Sequence, residues 1–153
     1  MTATISRPKI SNWETSNIPN LTGKTALITG ANSGLGYYTA KALAEKNAHV
    51  VIACRSLEKA NQTIKKLKGL NPEGLFTPLE LDLSDLKNIV EVQSKIFDNF
   101  ENLDLLINNA GIMHPPKTLS AQGYEIQFAV NHLAHMLLTL KLLPIIEKKE
   151  ESR

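Results

Sequence analysis

The sequence predicts an α/β fold, a parallel sheet wound with helices on both faces. Three observations carry that expectation. Short apolar runs alternate along the chain with stretches of helical periodicity. Two of the runs, TALIT and HVVIAC, are apolar almost without interruption, the pattern of strands buried on both faces. The first run ends in TGANSGLG, a glycine-rich turn that opens at once into a helical pattern.

Taken in order, residues 1–20 form a polar arm with a lone Trp13, and residues 21–153 form one domain. Strands are predicted over 25–29, 49–54, 76–83 and 103–110, the last two closing on polar or small residues. The helix after the first strand opens past Gly36 and sets Leu35, Thr39 and Leu43 on one face. Ala60, Ile64 and Leu67 mark a second helix, capped by Ser56 and ended by Gly69. Ser84 caps a third, whose apolar stripe runs Leu86, Val90, Phe97 and Phe100. A fourth runs from near Gln127 towards Glu147; its middle, LAHMLLTLKLL, is apolar on more than one face and predicts burial on several sides. Pro144 kinks or ends it. Strand–helix–strand repeats of this kind imply right-handed crossovers.

The totals narrow the function. A chain of 153 residues is long enough to bury a core, and 42% hydrophobic with 21% charged residues is a globular composition. The formal net charge of +2 gives no ground for a nucleic-acid or membrane-surface partner. The single cysteine, Cys54, forms no internal disulfide and points to a reducing, cytoplasmic setting. The most apolar stretch, LLTLKLLPII, is interrupted by Lys141 and Pro144, so no membrane span is expected.

Chemistry gathers at the glycine-rich turn. Side chains at Gly30, Gly34 and Gly36 would keep the backbone from a pyrophosphate, while the helix start offers free N–H groups and a positive dipole end. The spacing Gly-x-x-x-Gly-x-Gly resembles that of the short-chain dehydrogenases/reductases. Three further segments strengthen the resemblance: LDL with Asp82, NNAG at Asn108 to Gly111, and FAVNHLAH with Asn131. It extends almost continuously over residues 21–153 and is similar in flavour to retinol-dehydrogenase-like and light-dependent protochlorophyllide-reductase-like members.

That resemblance implies a Rossmann-type doubly wound parallel sheet with strand order 3-2-1-4, truncated after the fourth strand and fourth long helix. It implies a nicotinamide cofactor held by Gly30, Asn32, Ser33, Gly34, Leu35 and Gly36, by Asp82 and Leu83, and by Asn109, Ala110 and Gly111. Asp82 would meet the adenine amino group, and Asn131 would be the active-site asparagine. The substrate of the intact protein would be a small carbonyl/alcohol pair or a conjugated double bond.

Relatives that use NAD(H) end the second strand with an acidic residue that binds the ribose hydroxyls. Here Cys54 takes that position and Arg55 follows. A neutral residue removes repulsion towards a 2′-phosphate and a guanidinium grips one, so NADP(H) is favoured over NAD(H). The alternative is a solvated arginine at a helix entry. Cys54 reads as an inert small residue rather than a redox nucleophile.

In the family a tyrosine donates the proton, a lysine four residues later lowers its pKa, and a serine polarises the carbonyl. Tyr37 and Lys41 have that spacing at the wrong address: in the first helix they point about 200° from Leu35 and Thr39. An exposed, non-catalytic pair is expected. No other Tyr-x-x-x-Lys occurs, and the family's serine, tyrosine and lysine would follow EESR, so the chain alone is expected to be inactive. It would then be either part of an enzyme or a non-catalytic NADP-binding or interaction module; a doubly wound protein for another nucleotide is a third reading. The fourth strand is expected as an unpaired edge that favours self-association. His132 and His135, three apart, suit ordinary packing rather than a metal pair, and no metal is expected. His114 either touches substrate or is a solvated loop residue.

Overall fold

The apolar runs become four parallel strands, β1 (Thr25–Thr29), β2 (His49–Cys54), β3 (Phe76–Glu80) and β4 (Leu105–Ile107), in the order β3-β2-β1-β4. The computed structural model describes residues 13–153, so most of the expected polar arm, residues 1–12, lies outside the described residues. Alternate residues of the central strands serve two cores, because successive side chains leave opposite faces of a sheet. Leu27, Val51, Ala53 and Leu79 join one apolar cluster, and Ala26, Ile28, Val50 and Ile52 the other. This is the doubly wound arrangement the sequence predicts.

Strands β3 and β4 are shorter than expected, leaving the sheet at Glu80 and Ile107. β2 ends at Cys54, whose carbonyl takes the Leu81 amide at 3.0 Å, and beyond that point no neighbouring strand continues. Pro78 lies midway along β3, which is an edge strand, where a residue without an N–H is tolerated. Leu75 O and Leu81 N both bond β2, so the odd-numbered residues face the sheet and Pro78 faces outward.

Helix α1 (Gly34–Ala44) starts earlier than predicted and packs through another face. Gly36, Ala40, Leu43 and Ala44 are buried, small residues that let the helix approach the sheet, while Leu35 is 80% exposed. This corrects the expected stripe. It also moves Tyr37, half-buried against the core beside α1 with its ring edge-on to Tyr38, whereas Lys41 pairs with Glu45 at 3.6 Å. Helix α2 (Leu57–Leu70) is capped by Ser56 as expected. It runs through Gly69, and Asn71 ends it by giving its amide to Leu67 O. Helix α3 (Leu86–Asn99) is capped by Asp85 rather than Ser84, because the Ser84 amide and hydroxyl are turned back to Asp82. Its buried line is Ile89, Val92 and Ile96; Leu86, Phe97 and Phe100 flank it and Val90 is exposed.

Helix α4 (Ile126–Ile146) begins one residue before the expected start and widens to a π-turn over Ala129–Leu133. Pro144 sits within its last turn, and the helix stops two residues later. By length and composition α4 is apolar enough to cross a membrane. In this fold Ala134, Leu138, Leu142 and Ile145 are completely buried in the core shared with α3. Met136 and Leu140 remain about half exposed, so burial does not extend to every side of the helix. The outer edge of β4 is not bare: Leu106 N donates to Arg153 O at 2.9 Å and Arg153 N to Asp104 O at 2.9 Å.

Asp104 ties the amino end of the sheet together. Its carboxylate is 4% exposed, accepts the Thr25 amide at 2.9 Å and faces Lys24 at 3.1 Å and Lys149 at 3.5 Å. Burial alone would raise its pKa, but the Thr25 amide and the two ammonium groups outweigh burial and hold it below the usual carboxylate value. An acid depressed in the folded state stabilises fully above its unfolded pKa of about 3.9 and loses that contribution as pH falls through the folded value. Asp104→Asn is therefore expected to cost about 2 kcal/mol at pH 7 and to flatten the fall in stability below pH ~4, read by urea melts across pH. Leu138→Ala, at a fully buried site, is expected to cost about 3 kcal/mol in the same melts.

Candidate functional site

A cavity of about 340 Å³ opens at the carboxyl ends of the strands, within the range of small-molecule clefts. One wall is Thr29, Gly30 and Asn32 after β1; the next is Cys54, Arg55, Ser56 and Lys59 after β2. Leu81 to Ser84 and Ala110 to Ile112 continue β3 and β4, and Ile126 and Val130 close the floor from α4. Of the predicted cofactor residues, Gly30, Asn32, Arg55, Asp82, Leu83, Ala110 and Gly111 line this space. Ser33, Gly34, Leu35 and Gly36 form the adjoining turn and first turn of α1, while Asn109, half-buried, and Asn131, exposed, are not among the residues that line it.

The glycines serve different ends. Gly30 (φ 66°) and Gly34 (φ 54°) have backbone conformations that a side chain disfavours. A Cβ on Gly34 would meet open space, whereas one on Gly36 would come within 2.6 Å of Gly30 O and 2.5 Å of Asn109 Nδ2. Gly36 thus makes room for the protein's own loop, a need beyond the one read from the sequence. Ser33 precedes α1 without a side-chain cap, so no side chain claims the first-turn N–H groups; Ser56 and Asp85 do cap α2 and α3.

Asn109 does not face the cavity as expected. Its side-chain amide donates to Thr29 O at 2.9 Å. Thr29, the last residue of β1, is completely buried, and its hydroxyl accepts the amides of Asn109 and Ala110, each at 2.9 Å. Asn131 lies in the π-turn, a feature common at functional sites. Its Oδ1 accepts the Ile112 amide at 2.9 Å and its Nδ2 donates to Ile112 O at 2.8 Å, so the side chain is committed to the wall.

The charges around the mouth are uneven. Neither Arg55 nor Lys59 has a carboxylate within 4.0 Å among the described residues. Oδ1 of Asp82 holds the Ser84 amide and hydroxyl at 2.8 and 2.7 Å. Burial pushes the Cys54 thiol up, and it donates to Ser56 O at 3.2 Å, the state of an inert thiol. Tyr37 and Lys41 do not line the cavity. His132 is exposed and stacked on Phe128 at 5.3 Å while His135 is buried, so the two histidines diverge. His114 is an exposed loop residue outside the lining whose amide donates to Gln127 Oε1 at 2.9 Å. Among the described residues no three His, Cys, Asp or Glu side chains form a metal-holding group.

Sequence reasoning missed Lys59, Ser56, Ser84, Thr29 and the apolar floor of Ile112, Ile126 and Val130. Lys59 had a legible signal, as a second cation in the first turn of the helix that opens just after Arg55. Thr29 had a weaker one, as the polar end of an apolar strand. The floor residues had none, because α4 reaches the cavity only through the tertiary fold.

A family model described as short chain dehydrogenase matches residues 24–153. Human retinol dehydrogenase 13 is 42% identical over 131 residues, covering 86% of this chain and 40% of that protein. Human retinol dehydrogenase 11 is 37% identical over 147 residues, 96% of this chain and 46% of the relative. The chain spans between a third and a half of the curated relatives it matches. Among solved structures, a short chain dehydrogenase from Escherichia coli CFT073 complexed with NADPH superposes with a TM-score of 0.74 at 26% identity, over 86% of this chain and 56% of that one. The NADP complex of RhlG from Pseudomonas aeruginosa gives 0.73 at 27% identity, over 87% and 51%. With four parallel strands in the order β3-β2-β1-β4, the glycine turn and a family match over most of its length, the chain belongs to the short chain dehydrogenase family.

Proposed function

We propose that the cavity binds NADP(H) and that the chain provides the cofactor-binding part of an oxidoreductase. The observation that carries this is the mouth after β2, where Arg55 and Lys59 have no carboxylate partner among the described residues and Cys54 stands where an acidic residue would. The residues fit such a group. Gly34 leaves open space over the first turn of α1, where the N–H groups lack a side-chain cap. Gly30, Asn32 and the first turn of α1 would hold the pyrophosphate, Arg55 the 2′-phosphate, and Asp82 and Leu83 the adenine. When bound, the cofactor supplies or takes a hydride. The chain's part is to orient it along Ala110 and Gly111, with Asn131 bracing that wall through Ile112. The NADP-bound neighbours support the reading. A carbonyl/alcohol pair or a conjugated double bond is the proposed substrate class of the whole protein.

One observation favours a second reading, a non-catalytic NADP-binding module: among the described residues no tyrosine lines the cavity. Stopped assays of NADPH oxidation with simple aldehydes and ketones separate the two, since turnover by this chain removes the module.

Calorimetric titration is expected to give NADPH at least about tenfold tighter binding than NADH, and Arg55→Ala is expected to lower NADPH affinity about tenfold while leaving NADH affinity unchanged. Equal or tighter NADH binding overturns the role of Arg55. Half-exposed Met136 and Leu140 on α4 also support association between copies, with Arg153 displaced from the β4 edge if the strands join there. Light scattering is expected to show species above 16.9 kDa as concentration rises; a constant monomer mass removes that part.

A further inference from the structure

The buried histidine of α4 stands apart from the cofactor contacts, yet the distances around it select one arrangement of hydrogen bonds. His135 is 7% exposed, with Nε2 3.0 Å from Thr29 Oγ1 and Nδ1 3.3 Å from Asn131 O. A hydroxyl has two acceptor positions and one proton. The Ala110 amide and the Asn109 amide, the latter shared with Ile107 O at 3.0 Å, occupy both acceptor positions of Thr29 at 2.9 Å and leave only its proton. Ile107 O competes for that proton at 3.4 Å, a longer contact than the one to His135. The Thr29 hydroxyl therefore donates to Nε2, which must be unprotonated. A neutral ring then carries its hydrogen on Nδ1 and donates it to the Asn131 carbonyl. The donors run in one direction, from the two amides through Thr29 and the ring to the π-turn, so each bond polarises the next.

We propose that His135 is a positioning residue: as the neutral Nδ1–H tautomer it links the end of β1 to the π-turn and so fixes the Ala110–Ile112 wall of the cavity. Protonation would place a second donor against a Thr29 oxygen with no acceptor position left, turning the hydroxyl away or breaking its bonds to Asn109 and Ala110. The ring nitrogens face the Thr29 hydroxyl from β1 and the Asn131 carbonyl on the same helix, neither of which titrates, and no charged group contributes to the shift of the ring. Burial holds the His135 pKa below its ordinary value, with the Asn131 carbonyl acting the other way. A histidine lowered in the folded state stabilises fully above its unfolded value of about 6.5, and that contribution declines as pH falls from there to the folded pKa. His49, at the opposite end of the sheet, is also lowered by burial and acts in the same window, so the test must be site-resolved.

The consequence for binding rests on the proposed NADP(H) site, but the tautomer does not, and the experiment keeps the two apart. Nitrogen-15 NMR of the full chain without ligand is expected to show His135 with its hydrogen on Nδ1 above pH 7. As the ring titrates at lower pH, the Asn109 and Ala110 amide signals should move with the same midpoint. His135→Leu, which leaves the Thr29 proton without its acceptor, should shift both amides at every pH and weaken NADPH and NADH alike by about tenfold. His135→Gln, which restores an acceptor that does not titrate, should recover most of the affinity and abolish the pH dependence of the two amides. An Nε2–H tautomer, or amides indifferent to the ring's titration, overturns the proposal. If His135→Leu fails to fold, the tautomer and His135→Gln still decide. Absence of NADPH binding by the unsubstituted chain instead refutes the proposed function and leaves the ligand-free spectra to judge His135.

Discussion

The carboxyl end of the sheet depends on one buried hydroxyl. Thr29 ends the innermost strand, completely enclosed, at the point where the chain must leave the sheet for the glycine turn. A buried polar group without partners is costly, so that hydroxyl needs company. It finds the two amides that follow β4, and this draws Asn109 and Ala110 across to β1. Once they are there, Gly30 must lack a side chain because Ala110 occupies the space, and Gly36 because Asn109 does. Two segments about 80 residues apart in sequence therefore constrain each other's composition. The cavity is what this mutual packing leaves open.

Stability and recognition are separated along the sheet axis. At the amino end, the buried carboxylate of Asp104 is satisfied by the Thr25 amide and by the partly exposed Lys24 and Lys149. At the carboxyl end, Arg55 and Lys59 face a cleft with no such partner among the described residues. A charge already satisfied within the protein has little left for a ligand; an unsatisfied one at an open mouth attracts anions.

Much of this was legible in the chain. Two-sided strands read plainly because TALIT and HVVIAC have nearly no polar residue to assign to solvent, and Ser56 declared itself as a cap through its position. The failures share a cause. Leu35 looked like a packing residue by type, yet the helix meets the sheet through Gly36 and Ala40, where small size matters more than hydrophobicity. Ser84 and Asp85 are equally good caps by propensity; the choice fell to Asp85 because Asp82 had already taken Ser84. Asn109 was legible as part of the site but not its direction, since its partner is the Thr29 carbonyl on another strand. Membership of the site could be read from pattern; the target of each side chain required the tertiary fold.

The two margins of the sheet are chemically unlike. Pro78 turns its nitrogen outward from the middle of β3 and has no hydrogen to give, so an incoming strand would find a gap in the ladder there. The β4 margin does form such bonds, as Arg153 demonstrates. A strand laid along β3 would therefore meet a missing donor at its middle, whereas the backbone groups of β4 can take up a partner segment.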